Sequence, residues 1–304
     1  MNVKDIDLTS VGALLIDNIF LVDELPNSGF GALVRECGCF YGGRAPNVAI
    51  MLSSLGYQTC IVAPVGNDFG SSGYRKFLED CKVHLDGLYV DDFRATDKSY
   101  VFTGLDQKQI TFVQFEAFNS FKAMKTPDDL FARSKIVHFS SGDPDYNLKA
   151  AEIATKHGNT ISFDVGNDVY MHTDRYLAWM LSNAHLVFMN VDESEYLKRR
   201  MRVAKITQLT DNDHLRVLVI IDKMRSVSLY SENGWTTFTL DVKRVKDRTG
   251  ASDGFIAGFV AGYLRQFDLN QCLTLGNNML NRVVQKLGCT TNLPTWNDLS
   301  SLRD

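Results

Sequence analysis

The chain has 304 residues, 45% of them hydrophobic and 22% charged, with a formal net charge of −4. That length suits one large α/β domain, and the slightly acidic balance lacks the basic field of a nucleic-acid binder. The one basic cluster, Lys198, Arg199, Arg200 and Arg202, reads as a solvated helix face. No apolar run approaches the roughly 20 residues of a membrane span. The start, with Lys4, Asp5 and Asp7, lacks the basic segment followed by an apolar one that marks an export signal. The expectation is a cytoplasmic protein that meets neither nucleic acid nor membrane.

In chain order, Ser10 to Ile16 reads as a buried strand that ends in Asp17-Asn18. Leu33 to Tyr41 alternates like a strand, which puts Cys37 and Cys39 on one face. The six cysteines, Cys37, Cys39, Cys60, Cys81, Cys272 and Cys289, contain no C-x-x-C pair. Neither they nor the histidines sit at zinc spacing, so reduced structural thiols are expected. A helix is predicted from Pro46 to Leu55, because Pro46 suits a first turn and Gly56 a left-handed cap. A buried strand, Cys60 to Val65, follows. Ser99–Thr103 and Gln109–Phe115 read as a hairpin around Asp106-Gln107-Lys108.

Further strands at Ile136–Phe139, Thr160–Phe163, His185–Met189 and Arg216–Ile221 alternate with helical segments such as Tyr146–Lys156 and Glu193–Met201. His138 lies in one of these strands and reads as a structural residue. Such alternation implies a doubly wound α/β fold, with a mostly parallel sheet covered on both faces. Ligands of such sheets bind beyond the carboxyl ends of the strands. The extra β-segments, near residues 18–41 and 95–115, form either a small β-lid over the site or an extension of the sheet edge. No repeat or linker interrupts the chain, so residues 1–304 are expected to form one unit.

The most informative run is Asp247-Arg-Thr-Gly-Ala-Ser-Asp253-Gly-Phe-Ile-Ala-Gly-Phe259. From Phe255 onward, apolar residues recur with helical spacing through Phe267, so a helix should start near Gly250-Ala251-Ser252. Unpaired backbone N–H groups and the positive end of the dipole make such a start an anion site suited to phosphate. Asp253 lies in this first turn. Taken alone, it reads as a carboxylate that favours the dipole.

This run resembles the second signature of the ribokinase (PfkB-type) family, D-x-T-G-A-G-D-x-F-x-A-G-F, with Ser252 in place of the third glycine. The resemblance implies that Asp253 is the general base and that the Gly250, Ala251 and Ser252 amides form the anion hole. Gly42-Gly43-Arg-Ala-Pro-Asn47-Val-Ala49, with Leu55-Gly56 and then Val65-Gly66-x-Asp68, resembles the family's other signature. It implies acceptor contacts by Gly42, Gly43 and Asn47. Asp17 resembles the family's sugar-binding aspartate, which accepts hydrogen bonds from two hydroxyls. Asn190-Val-Asp-Glu193 resembles N-x-x-E, in which the glutamate organises Mg²⁺. One carboxylate suffices for an ion that keeps most of its waters. Gly288 to Trp296 and the hairpin Asp106 to Phe115 resemble archaeal-type sugar and nucleoside kinases.

One stretch departs from the family. The turn Asp222-Lys-Met-Arg-Ser226 lacks the usual threonine and glycines. Lys223 and Arg225 either supply charge to the phosphates of ATP or are exposed turn residues. The resemblance implies an ATP- and Mg²⁺-dependent kinase for a hydroxymethyl group on a sugar or nucleoside. The alternative is a catalytically weak or inactive binding protein on the same ribokinase-like fold. A homodimer is left open beside a monomer. A dehydrogenase is disfavoured, because no G-x-G-x-x-G follows the first strand.

Overall fold

A computed structural model describes residues 4–210 and 213–300. In chain order the elements are β1 (Ile6–Val11), β2 (Leu15–Val22), β3 (Val34–Gly42), α1 (Arg44–Ser54), β4 (Thr59–Gly66), α2 (Tyr74–Asp80), β5 (His84–Asp91), β6 (Asp97–Gly104) and β7 (Gln109–Gln114). There follow α3 (Asp128–Arg133), β8 (Ser134–Phe139), α4 (Pro144–Lys156), β9 (Thr160–Asp164), α5 (Asp174–Asn183), β10 (Leu186–Asn190), α6 (Val191–Met201) and β11 (Val217–Asp222). The last are β12 (Ser226–Ser231), β13 (Gly234–Thr239), α7 (Ala251–Leu264), α8 (Leu269–Val283) and α9 (Trp296–Ser300).

Nine strands form the main sheet in the order β13-β12-β11-β10-β9-β8-β1-β4-β5. From β11 to β5 all neighbours run parallel. The β12–β13 hairpin extends the sheet antiparallel at one edge. Successive strand residues point to opposite faces, and both faces here are apolar. Leu186 and Phe188 pack with α1, α7 and α8 residues such as Met51, Phe255 and Met279. Val187 and Met189 pack on the other side with Ala151, Tyr176 and Leu197 of α4, α5 and α6. Such two-sided burial is why these strands read as continuous apolar runs. Gly258 lets α7 lie directly on α8, since a Cβ there would come within 2.3 Å of the Leu275 carbonyl oxygen.

A second sheet of four strands runs β3-β2-β6-β7. Here one expectation fails. The run Ser10 to Ile16 is not one strand: β1 ends at Val11 and β2 starts at Leu15 in the other sheet. Gly12 to Leu14 cross between the sheets over the segment after β8, where the Ala13 amide donates to the Ser141 carbonyl at 2.8 Å. A Cβ at Gly12 would lie 2.3 Å from that oxygen. An unbroken apolar run carries no mark of which sheet it joins. Asp17 consequently sits inside β2, paired with Phe40 and Ser99, rather than at a strand end.

Candidate active site

A cleft of about 270 Å³ lies between the carboxyl ends of the main-sheet strands and the second sheet. It is lined by Asp17, Gly43, Asn47, Asn190, Glu193, Gly250, Ala251, Ser252 and Asp253, drawn from four separate stretches of chain. Gly42 stands just behind, where a Cβ would lie 2.0 Å from the Asp17 Oδ2. Only a residue without a side chain leaves room for that carboxylate. Lys223 and Arg225 are not among the lining residues. Both are exposed, in a turn where Lys223 (φ 42°) and Met224 (φ 60°) are left-handed.

The α7 end is built by long-range support. Gly250 caps the helix at φ 75°, and a Cβ there would lie 2.3 Å from the Cys289 Cβ. Asp247, 1% exposed, accepts from the Thr249 amide and hydroxyl and from the Gly288 amide at 2.7–2.9 Å. The anion-hole expectation needs one correction. The Ala251 amide donates to the Arg248 carbonyl at 3.1 Å. The amides of Gly250, Ser252 and Asp253 are left without a backbone acceptor among the described residues.

Asp253 is 4% exposed and its Oδ2 accepts from the Asn47 Nδ2 at 2.7 Å. Burial pushes its pKa up to about 7, with repulsion from Asp164 and Asp17, while Arg44 and the Asn47 bond oppose the shift. A buried carboxyl poised near neutrality is what general-base chemistry asks for. Asn47, expected on the acceptor, is thus also the residue that holds the Asp253 carboxylate. Asp17 is buried, accepts from the Ser99 hydroxyl, and is pushed up to about 6, chiefly by burial.

Glu193 closes a capping box. Its Oε2 accepts from the Asn190 amide at 2.8 Å and its Oε1 from the Asn190 Nδ2 at 2.7 Å, while its own amide donates to the Asn190 Oδ1 at 2.8 Å. Burial raises its pKa. No cluster of three or more metal-ligating side chains exists among the described residues. A single carboxylate with spare lone pairs, facing the cleft, fits an ion that keeps its waters.

Three residues of this site escaped the sequence reading. Arg44, the first residue of α1, sends its guanidinium to Asp164 and to Asp168, the latter at 3.5 Å. Arg44 lies inside the Gly42 to Asn47 motif, and Asp164 ends β9, where ligands of such sheets bind. Either signal could have found the pair. His138 is fully buried against the Ser162 hydroxyl at 2.9 Å and held neutral by burial, consistent with a structural role.

No helix among the described residues is long and apolar enough to cross a membrane. The pfkB family carbohydrate kinase profile matches residues 5–296. The chain is 31% identical over 293 residues to a nucleoside kinase of Methanocaldococcus jannaschii, covering 95% of this chain and 94% of that one. It is 30% identical to a nucleoside kinase of Methanothermobacter thermautotrophicus, covering 96% and 93%. The crystal structure of the M. jannaschii enzyme, an archaeal member of the ribokinase family, superposes with a TM-score of 0.88 at 30% identity, over 99% and 98% of the two chains. A Burkholderia thailandensis nucleoside kinase in complex with inosine shares the fold, with a TM-score of 0.87 at 18% identity over 97% and 96%. The chain belongs to the pfkB family of carbohydrate kinases and is an ATP-dependent phosphotransferase with an alcohol group as acceptor.

Proposed function

We propose that this kinase phosphorylates the hydroxymethyl group of a nucleoside. The observation that carries the choice is the wall of the cleft beside Asp17. Leu15, Val101, Val113 and Phe115, from β2, β6, β7 and the residue just past β7, give it an apolar surface next to the polar groups that would hold a sugar. A free pentose bound at Asp17 would leave that surface against water. The base of a nucleoside would cover it and gain from the burial. The names of the two relatives point the same way.

In this reading Asp17 accepts from two ribose hydroxyls. Asp253 takes the proton of the hydroxymethyl group as its oxygen bonds to the γ-phosphorus. The bond to the bridging oxygen breaks, and its electron pair leaves with ADP. The free amides at the start of α7 face the developing charge. Glu193, held by Asn190, would position Mg²⁺ through its waters, and the ion, when bound, neutralises phosphate charge. Lys223 and Arg225 take the surface role. The chain works as one unit, with residues 18–41 and 95–115 as a lid. The outer face of that lid exposes Ile110 and Phe112, which is where a homodimer would form. A cytoplasmic site of action agrees with the substrates.

The test is an acceptor screen with Mg-ATP over nucleosides, free pentoses and hexoses, with product position read by ³¹P NMR. The expected result is kcat/KM at least about tenfold higher for a nucleoside than for ribose, since a covered ring is worth a few kcal/mol of burial at most. Equal or better turnover of ribose overturns the nucleoside reading.

A further inference from the structure

Arg44 occupies a costly position. It is the first residue of α1, where the positive end of the helix dipole disfavours a cation. Its side chain is only 19% exposed. Burial works against its charge, and Asp164, Glu193, Asp168 and Asp253 more than offset that, so it stays charged. Nothing about α1 needs an arginine there. The surroundings, however, are shaped around it. Asp164 (side chain 3% exposed) accepts from Nη2, and Asp168 (16%) lies 3.5 Å from Nη1. Gly166 is left-handed at φ 81°, and a Cβ on it would fall 1.6 Å from Nη1. Two carboxylates and a missing side chain therefore fix the plane of the guanidinium.

Arg44 lines the same cleft as Asp253 and Glu193, and both feel its charge. In the kinase reading the first marks the acceptor hydroxyl and the second the donor phosphates. A cation in that cleft is within the space the phosphoryl group crosses. The cleft also needs one. Its lining carries the carboxylates of Asp17, Asp168, Glu193 and Asp253 against the cations of Arg44 and Arg248 alone.

We propose that Arg44 contacts the phosphoryl group in transfer, and that Asp164 and Asp168, across Gly166, are positioning residues that aim it. This rests on the kinase reading of the cleft. A planar fork presents several donors to phosphate oxygens at once, which a lysine does not.

The experiment measures kcat, the KM for Mg-ATP, the acceptor Kd by calorimetry, and thermal melting, for Arg44→Gln, Arg44→Lys, Asp168→Asn and the double variant Arg44→Gln/Asp168→Asn. Removing one preformed charge-stabilising contact lowers kcat by about 10²–10³. That loss is expected for Arg44→Gln, with acceptor Kd changed less than about threefold, and Arg44→Lys should recover only part of it. Asp168→Asn should lower kcat by about tenfold in the parent but add nothing to Arg44→Gln, since a positioning residue has no effect once its target is gone. If Arg44→Gln does not fold, Arg44→Lys and the rim residue Asp168 decide the question, because a purely structural clamp moves melting and leaves kcat in the folded fraction unchanged. A folded Arg44→Gln or Arg44→Lys with parental kcat overturns the proposal, as does an equal Asp168→Asn loss in both backgrounds. Failure of the parent to phosphorylate any acceptor would strike the kinase reading of the cleft instead.

Discussion

Two of the helices that open onto the cleft, α6 and α7, each present a first-turn carboxylate to it, and they hold it in opposite ways. Glu193 is tied to Asn190, three residues away, and both of its oxygens are used by that capping box. Asp253 has one oxygen tied to Asn47, 206 residues away in sequence. Its helix start is held by Asp247 and by the close approach of Cys289. The first arrangement is local and stabilises its own helix end. The second is assembled by the fold and leaves one oxygen uncommitted, although burial pushes both carboxyls up to about 7. The local motif occupies both oxygens of its carboxylate, whereas the long-range packing leaves one oxygen of Asp253 free.

The comparison is sharpened most by Asp253→Asn. We predict that kcat falls by roughly 10² or more, the usual contribution of a positioned base, while acceptor binding measured by calorimetry is retained. A variant with near-parental kcat would remove Asp253 from the chemistry. Next in size is Glu193→Gln. It should raise the Mg²⁺ concentration for half-maximal rate by about tenfold, in the range seen when metal-positioning groups are altered, with a smaller change in kcat at saturating metal. An unchanged Mg²⁺ requirement would reduce Glu193 to a capping residue. The smallest effect belongs to the turn outside the cleft. Lys223→Ala with Arg225→Ala should leave the Kd for Mg-ATP within about twofold and its salt dependence unaltered, because both side chains are exposed and neither lines the cleft. A several-fold weakening would place the turn on the phosphates after all.

Much of this architecture is legible in the chain. The buried strands announce themselves as short apolar runs, and the helix start at Asn190 carries its own capping chemistry. The spacing from Asp247 to Phe259 marks the start of α7 before any fold is known. What is hidden is hidden for physical reasons. The crossing at Gly12 to Leu14 is invisible, because both halves of the run are equally apolar. The edge hairpin of β12 and β13 alternates polar and apolar residues over a half-exposed surface, a weak signal. Arg44 and Asp164 could each be suspected from its place in the sequence, but their pairing needs the start of α1 to meet the end of β9 across 120 residues. Asn47 shows the same limit. Its motif suggests a contact with the acceptor, and only the packed structure brings its amide to the Asp253 carboxylate.

The central claim is that burial has set Asp253 to act as a base near neutrality. The pH dependence of kcat/KM for the acceptor at saturating Mg-ATP tests it most directly, because that ratio reports ionisation of the enzyme form that meets the acceptor. The base must be deprotonated, so activity should climb as pH rises and level off above about 7, the value to which Asp253 is pushed. Glu193 is pushed up to about 7 as well, so the comparison is made in Glu193→Gln, where adding Asp253→Asn should remove that limb from the residual rate and leave only the weaker limb near 6 from Asp17. A parent profile flat through neutrality, or the same limb persisting in Glu193→Gln/Asp253→Asn, would contradict the account.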